Sequence, residues 1–149
     1  MERYPVGMVP GPVRCPSEVL EAYRGEYGSP DLEEEFAALY RHCQGRIGAL
    51  LNSKGTVVIQ SGEGMLALWV ALKSVMAPGD RLLAVSAGVF GSGFAQMGLS
   101  LGLEVRSVDF PFNSVPDPEV VRRHSLEFAS RMITLVHCET PSGTLCTLK

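Results

Sequence analysis

The chain has 149 residues, 46% of them hydrophobic and 19% charged, with a formal net charge of −3 and a pI near 5.6. One domain's worth of length with that apolar content allows a packed core and excludes a disordered chain. No basic stretch is present and the aromatics are scattered, so no nucleic-acid partner is expected; no run approaches 18 apolar residues, so neither membrane spanning nor secretion is expected.

In chain order, residues 9–16 hold three prolines and a glycine, which break both helix and strand, and read as an extended arm. Ser17 is placed to cap a short helix running to about Arg24, ended by Gly25 and Gly28. Ser29-Pro30-Asp31 opens a second helix, expected over 31–52, with Leu32, Phe36, Leu39, Tyr40, Cys43, Ile47 and Leu50 along one stripe. Glu33, Glu34 and Glu35 read as its solvated face and as acids complementing its dipole, not as a catalytic pair. The β-branched run 56–59 predicts a first strand, buried on both faces. Ser61, Gly62 and Gly64 then make a tight turn into a helix from Met65, which Ala77-Pro78-Gly79-Asp80 stops.

Leu82 to Val85 predicts a second strand, followed by a second glycine turn, residues 86–91, and a helix carrying Phe94, Met97, Leu99 and Leu101 to Gly102. A third strand is expected over 104–109. A helix capped by Asp117, with Pro118 at its first position, comes next, and a fourth strand over 132–137. From residue 56 the order is therefore β-α-β-α-β-α-β, which implies parallel strands with helices covering them. Ligands bind such sheets at the carboxyl ends of the strands, where the loops 61–64, 87–91 and 139–143 would gather.

Cys15, Cys43, Cys138 and Cys146 form no C-x-x-C pair, and His42, His124 and His137 do not share metal-ligand spacing with them. No metal is expected, and free thiols point to a reducing, cytoplasmic setting, an organelle remaining open. His137 reads as a neutral core histidine, with Cys138 on the opposite face of its strand.

A strand, a glycine turn and a helix aim several free N–H groups at one point, so the 61–64 loop is a candidate anion cup. Residues 62–67 fit G-x-G-x-x-A, the dinucleotide fingerprint. That fold also needs an acid at the end of the next strand to hold a ribose, and residues 86–88 read Ser-Ala-Gly. The elements at 17–52 go unexplained by it as well, which makes it the weaker reading.

Pro10-Gly11-Pro12, the Ser29-Pro30 helix opening with Glu35-Phe36, Ser61-Gly62-Glu63-Gly64, Gly79-Asp80, Gly88-Val89-Phe90-Gly91 and His137-x-Glu139-Thr140-Pro141-Ser142-Gly143 occur together and in order. Together they resemble the N-terminal part of a class V aminotransferase, a fold type I enzyme of the alanine–glyoxylate and serine–pyruvate group, and are also similar to the pyridoxamine–pyruvate type. The resemblance implies a partial three-layer α/β sheet of mostly parallel strands, with residues 1–28 as an arm and short helix and 29–149 as the first portion of the cofactor-binding large domain. It implies pyridoxal 5'-phosphate as cofactor, a small amino acid and a 2-oxo acid such as glyoxylate or pyruvate as substrates, and a homodimer in full-length form.

By the same resemblance Ser61, Gly62 and Glu63 would lie against the cofactor phosphate, Phe90 would stack on the pyridine ring, and Thr140 would bond on the ring-hydroxyl side. Gly11, in the 10–12 arm, would reach toward the substrate carboxylate. For Phe90 a core aromatic, and for Thr140 a strand-end cap, stay open as plainer roles. Glu139 is as readily structural as catalytic. Glu63 is either an acid that complements the helix dipole or a carboxylate filling the phosphate position, which would favour unphosphorylated pyridoxal.

Transamination also needs a lysine to hold the cofactor covalently and an acid on the pyridine nitrogen. Lys54, Lys73 and Lys149 do not stand where the family's lysine does, and the acid and the substrate-binding arginine are missing. The expectation is a truncated family member, inactive by itself or non-catalytic, whose interrupted sheet leaves an unpaired edge open to association.

Overall fold

The structure, a computed structural model, describes residues 11, 13–26, 28–29 and 31–147. Pro10, Pro12, Pro30 and Lys149, which figured in the readings above, lie outside the described residues. The chain divides into two compact units, Met1–Ser61 and Gly62–Lys149.

The first unit holds two helices. α1 (Ser17–Ala22) is capped by Pro16 and not by the Ser17 side chain, which bonds instead to Glu18. α2 (Glu34–Leu50) begins three residues after the expected start, because Leu32 N and Glu33 N both donate to the Ser29 carbonyl and make a turn of residues 29–33. Phe36, Tyr40, Cys43 and Ile47 are half-buried along the expected stripe, whereas Leu39 and Leu50 are exposed. Glu34 and Glu35 occupy the first turn as expected, and Glu34 pairs with Arg41.

Residues 56–60 overturn an expectation, since they form no strand and Val58 is 79% exposed. The reason lies in how their backbone is satisfied. The Tyr40 hydroxyl donates to the Ile59 carbonyl (3.0 Å) and accepts from the Ile59 N–H (3.1 Å), while Gln44 donates to the Val57 carbonyl. Side chains of α2 take the place of a neighbouring strand, and β propensity alone does not make a ladder.

The second unit is an α/β layer structure. After α3 (Gly64–Val75), β1 (Arg81–Ser86), β2 (Glu104–Asp109) and β3 (Met132–Thr134) form a parallel sheet in the order β2-β1-β3. α4 (Val89–Ser100) joins β1 to β2, and α5 (Pro118–Phe128) joins β2 to β3. The chain steps outward to β2 and then back across β1 to β3, so right-handed crossovers put α4 and α5 on opposite faces. Central β1 is correspondingly apolar on both sides: Leu82, Leu83, Ala84 and Val85 are at most 1% exposed. Leu72, Met76, Leu82 and Leu103 form one core, with Phe94, Met97 and Met132 against it.

α5 starts as expected, with Asp117 Oδ1 accepting from Glu119 N (2.9 Å) and Pro118 at the first position. The fourth expected strand, 132–137, is shorter: β3 ends at Thr134, and the chain turns into a separate antiparallel pair, β4 (Cys138–Glu139) with β5 (Thr144–Leu145). That break leaves His137 exposed, which corrects its reading as a core histidine. Asp80 ties the strand starts together. Its carboxylate accepts from Ala77 N (2.7 Å) and pairs with Arg131 (3.1 Å), and the Ala77 bond and the Arg131 charge hold it below the usual carboxylate value.

Candidate functional site

The sheet order reverses direction at the carboxyl end of β1, the place where open parallel sheets bind ligands. Residues 86–91 lead from β1 into α4 there. Gly91 is required by close approach: a Cβ on it would lie 2.7 Å from Ser86 Cα and 2.9 Å from the Val85 carbonyl oxygen. Helix α4 therefore starts pressed against the strand it follows, with Phe90 half-buried.

Beside it lies a cavity of about 540 Å³, lined by Glu63 and Gly64 at the start of α3, Phe90 and Phe94 of α4, and residues 135–138 and Thr140 after β3. Met65 and Leu68 complete its mainly apolar wall. The structure thus brings together four residues that the sequence singled out in three separate loops: Glu63 and Gly64, Phe90, and Thr140. Gly62 precedes them at φ +144°, where a Cβ would meet Leu66 Cδ2 at 2.8 Å, so only glycine fits. Glu63 is exposed, takes the N-cap position of α3 and makes no side-chain cap bond. Ser61 and Gly11 belong to the other unit, and both are exposed.

Helix α4 is finished differently. Glu139, 2% exposed, accepts from Phe90 N (3.0 Å) and Gly91 N (3.2 Å) through its two carboxylate oxygens. Two charge-assisted bonds and the positive helix end balance its charge, and among the described residues it joins no ion pair. Gly88 leaves the space, since a Cβ there would fall 2.4 Å from Glu139 Cγ. The Glu139 carbonyl accepts from Ser142 N (3.1 Å) and Gly143 N (2.9 Å), closing the turn that presents Thr140. Thr144 braces that turn through Ser142 (2.8 Å) and Asn113 (2.8 Å). Burial, and then the nearby charge of Glu139, push the Cys146 thiol up.

Among the described residues no lysine lines the cavity; Lys73 instead sits over the Trp69 ring, 5.4 Å from its centroid. A second cavity, about 400 Å³ between α5, β3 and the residues after β5, gathers none of the candidate residues. Among the described residues no cluster suits a metal ion, and no helix is long and apolar enough to cross a membrane.

A parallel sheet with an apolar cavity beside a glycine-led helix start is an arrangement in which open α/β sheets hold small molecules. Relatives sharpen the class: homologues and structural neighbours of the chain include class V-type aminotransferases of fold type I. The pyridoxamine–pyruvate transaminase of Mesorhizobium japonicum is 30% identical over 97% of this chain and 38% of its own length. A 2-aminoethylphosphonate–pyruvate transaminase of Syntrophobacter fumaroxidans is 28% identical over 93% of this chain and 38% of its own. The crystal structure of an alanine–glyoxylate aminotransferase from Nostoc sp. superposes with a TM-score of 0.89 at 25% identity, covering 100% of this chain and 41% of that one. The chain thus spans about two-fifths of the length of these relatives, as an N-terminal part would. No family model matches it.

Proposed function

We propose that the chain supplies the first portion of a pyridoxal 5'-phosphate site, in an aminotransferase that moves an amino group between a small amino acid and a 2-oxo acid such as pyruvate or glyoxylate. The observation that carries this reading is the single cavity shared by Glu63, Gly64, Phe90 and Thr140. The residues fit the group. A backbone turn bare of side chains at Gly62 and Gly64 leads into α3, whose N-terminus favours an anion such as phosphate. Phe90 offers an aromatic face to a flat ring, and Thr140 a hydroxyl at its rim. The cofactor, when bound, supplies the electron sink for amino-group chemistry. This chain's part is to bind it, hold its plane and exclude water with the Met65, Leu68 and Phe94 wall. Ser61 is assigned to the phosphate side and Gly11 to the substrate carboxylate, as in the motif match, and a homodimer is the proposed assembly of the whole protein.

Among the described residues no lysine lines the cavity, and on this reading the chain by itself holds the cofactor without a covalent bond. Incubation with pyridoxal 5'-phosphate should give saturable binding by equilibrium dialysis, weakened roughly tenfold in Phe90→Ala, the scale of a lost aromatic contact of about 1.4 kcal/mol. Borohydride treatment followed by peptide mapping should leave Lys54, Lys73 and Lys149 unmodified. Specific labelling of one of them would show that the chain carries the covalent step alone, and absence of binding would remove the cofactor reading.

One observation favours a second form of this reading: Glu63, an acid without a capping bond, lines the cavity at the helix end assigned to phosphate. A carboxylate and a phosphate charge about 4 Å apart repel by roughly 4 kcal/mol at an effective dielectric near 20. A few charge-assisted N–H bonds of about 1.5–3 kcal/mol each only just offset that. If the Glu63 side chain fills the cup, pyridoxal or pyridoxamine without phosphate is preferred, and Glu63→Ser reverses the preference. A strong native preference for the phosphorylated form, unchanged by the substitution, removes this second form and keeps the first.

A further inference from the structure

The loops that bring Phe90 and Thr140 to the cavity, residues 88–91 and 140–143, converge on Glu139. Its carboxylate accepts from the N–H groups of Phe90 and Gly91 in the first turn of α4, and its carbonyl closes the turn that carries Thr140. Its side chain fits only because Gly88 has no Cβ. A buried acid without a cationic partner is costly to keep unless its lone pairs are met, and here peptide N–H groups meet them.

The same arrangement has a consequence for anions. Two helices begin at the cavity, α3 with Gly64 and α4 with Val89. Either helix start is suited to a negative group. The start of α4 already holds a carboxylate, buried and doubly bonded. At the start of α3, Leu66 N donates to the Glu63 carbonyl (3.1 Å), and among the described residues no side chain bonds the N–H groups of Gly64 and Met65.

We propose that Glu139 is a positioning residue: by occupying the N-terminus of α4 it fixes the Phe90 ring relative to Thr140, and it denies that helix end to a ligand anion, so that a phosphorylated ring compound binds in one orientation, phosphate toward α3. The proposal rests on the reading of the cavity as a pyridoxal-phosphate site. It assigns Glu139 no contact with the cofactor and no proton transfer.

The test uses the 149-residue chain, Glu139→Gln and Glu139→Ala, with two readouts besides melting temperature. The first is hydrogen exchange without ligand, read by mass spectrometry in the 88–94 and 64–70 segments. Glu139→Gln keeps the shape of the side chain but turns one acceptor into a donor facing an N–H, so exchange in 88–94 should rise roughly tenfold with 64–70 unchanged, for the loss of one charge-assisted bond. The second is the circular dichroism induced in bound pyridoxal 5'-phosphate, which reports ring orientation. Glu139→Gln should bind with the induced band reduced at least twofold. In Glu139→Ala, where the α4 end is empty, added formate should restore the band and inorganic phosphate should compete for the site.

Unchanged exchange in 88–94, or a native band in both variants, overturns the positioning role while the cofactor site stands. Failure of the unsubstituted chain to bind pyridoxal 5'-phosphate overturns the site and the proposal together. If Glu139→Ala does not fold, Glu139→Gln decides alone.

Discussion

Two glycine turns lead into two twelve-residue helices, and they are completed in opposite ways. The turn into α4 follows a strand buried on both faces, is pressed against it at Gly91, and has the N–H groups of Phe90 and Gly91 taken by Glu139. The turn into α3 follows a segment with no ladder, held by Tyr40 and Gln44, and among the described residues no side chain bonds the N–H groups of Gly64 and Met65. Every helix start leaves N–H groups to be satisfied by side chains, water or ligands. Where the protein has filled that need internally, the turn is architecture; where it has not, a ligand has something to bind.

Glycine substitutions give the sharpest contrast. Gly91→Ala puts a methyl 2.7 Å from Ser86 Cα, backbone that does not yield, and should cost about 1–3 kcal/mol, a drop of roughly 2–10 °C in melting temperature. Gly64→Ala meets nothing within 4 Å and should stabilise by about 0.4–1 kcal/mol through the unfolded chain. Equal effects of the two substitutions would erase the distinction between the turns.

A smaller effect is expected ahead of the first turn. Tyr40→Phe removes both bonds to Ile59, worth about 0.5–1.5 kcal/mol each at most, and should speed proteolysis within 56–60 without altering exchange in β1. No change there would mean that the segment is held by other means.

Acid sharpens the other side. The folded-state value of Asp80 is depressed, so its contribution is fully present above the ordinary value of 3.8 and is lost as pH falls through the folded value below it. Melting curves of the native chain and Asp80→Asn should therefore converge as pH drops below 3.8. A stability difference that persists unchanged at the lowest pH would contradict the assignment. The smallest expected effect is in thiol chemistry: buried Cys146, with its thiol pushed up, should react with iodoacetamide more slowly than exposed Cys138. Equal rates would show that the Cys146 thiol is not buried in solution.

Much of the second unit was legible in the sequence. The apolar run 82–85, the Pro78-Gly79 stop and the Asp117-Pro118 cap are local signals, and each had its expected effect. Residues 56–59 misled because their β-branched pattern states a preference, whereas a strand requires a partner, and Tyr40 and Gln44 took the backbone groups first. His137 misled because the fourth strand was read as continuous, when it breaks after Thr134 and exposes the ring. The cavity was legible as three loops at one sheet edge, since parallel topology places them there. The bond from Glu139 to Phe90 was not, because it spans 49 positions and no periodicity signals it. A glycine at 88 was the only trace, and it reads equally as a turn residue.

The direct test of the difference between the two turns is hydrogen exchange of the native chain with saturating pyridoxamine 5'-phosphate, compared with saturating pyridoxamine. The difference isolates the phosphate. Protection specific to the phosphorylated compound should appear in the segment 62–68, with the segment 88–94 equally protected by both. Phosphate-specific protection in 88–94 with none in 62–68 would contradict the account, because it would place the anion on the helix end that Glu139 fills.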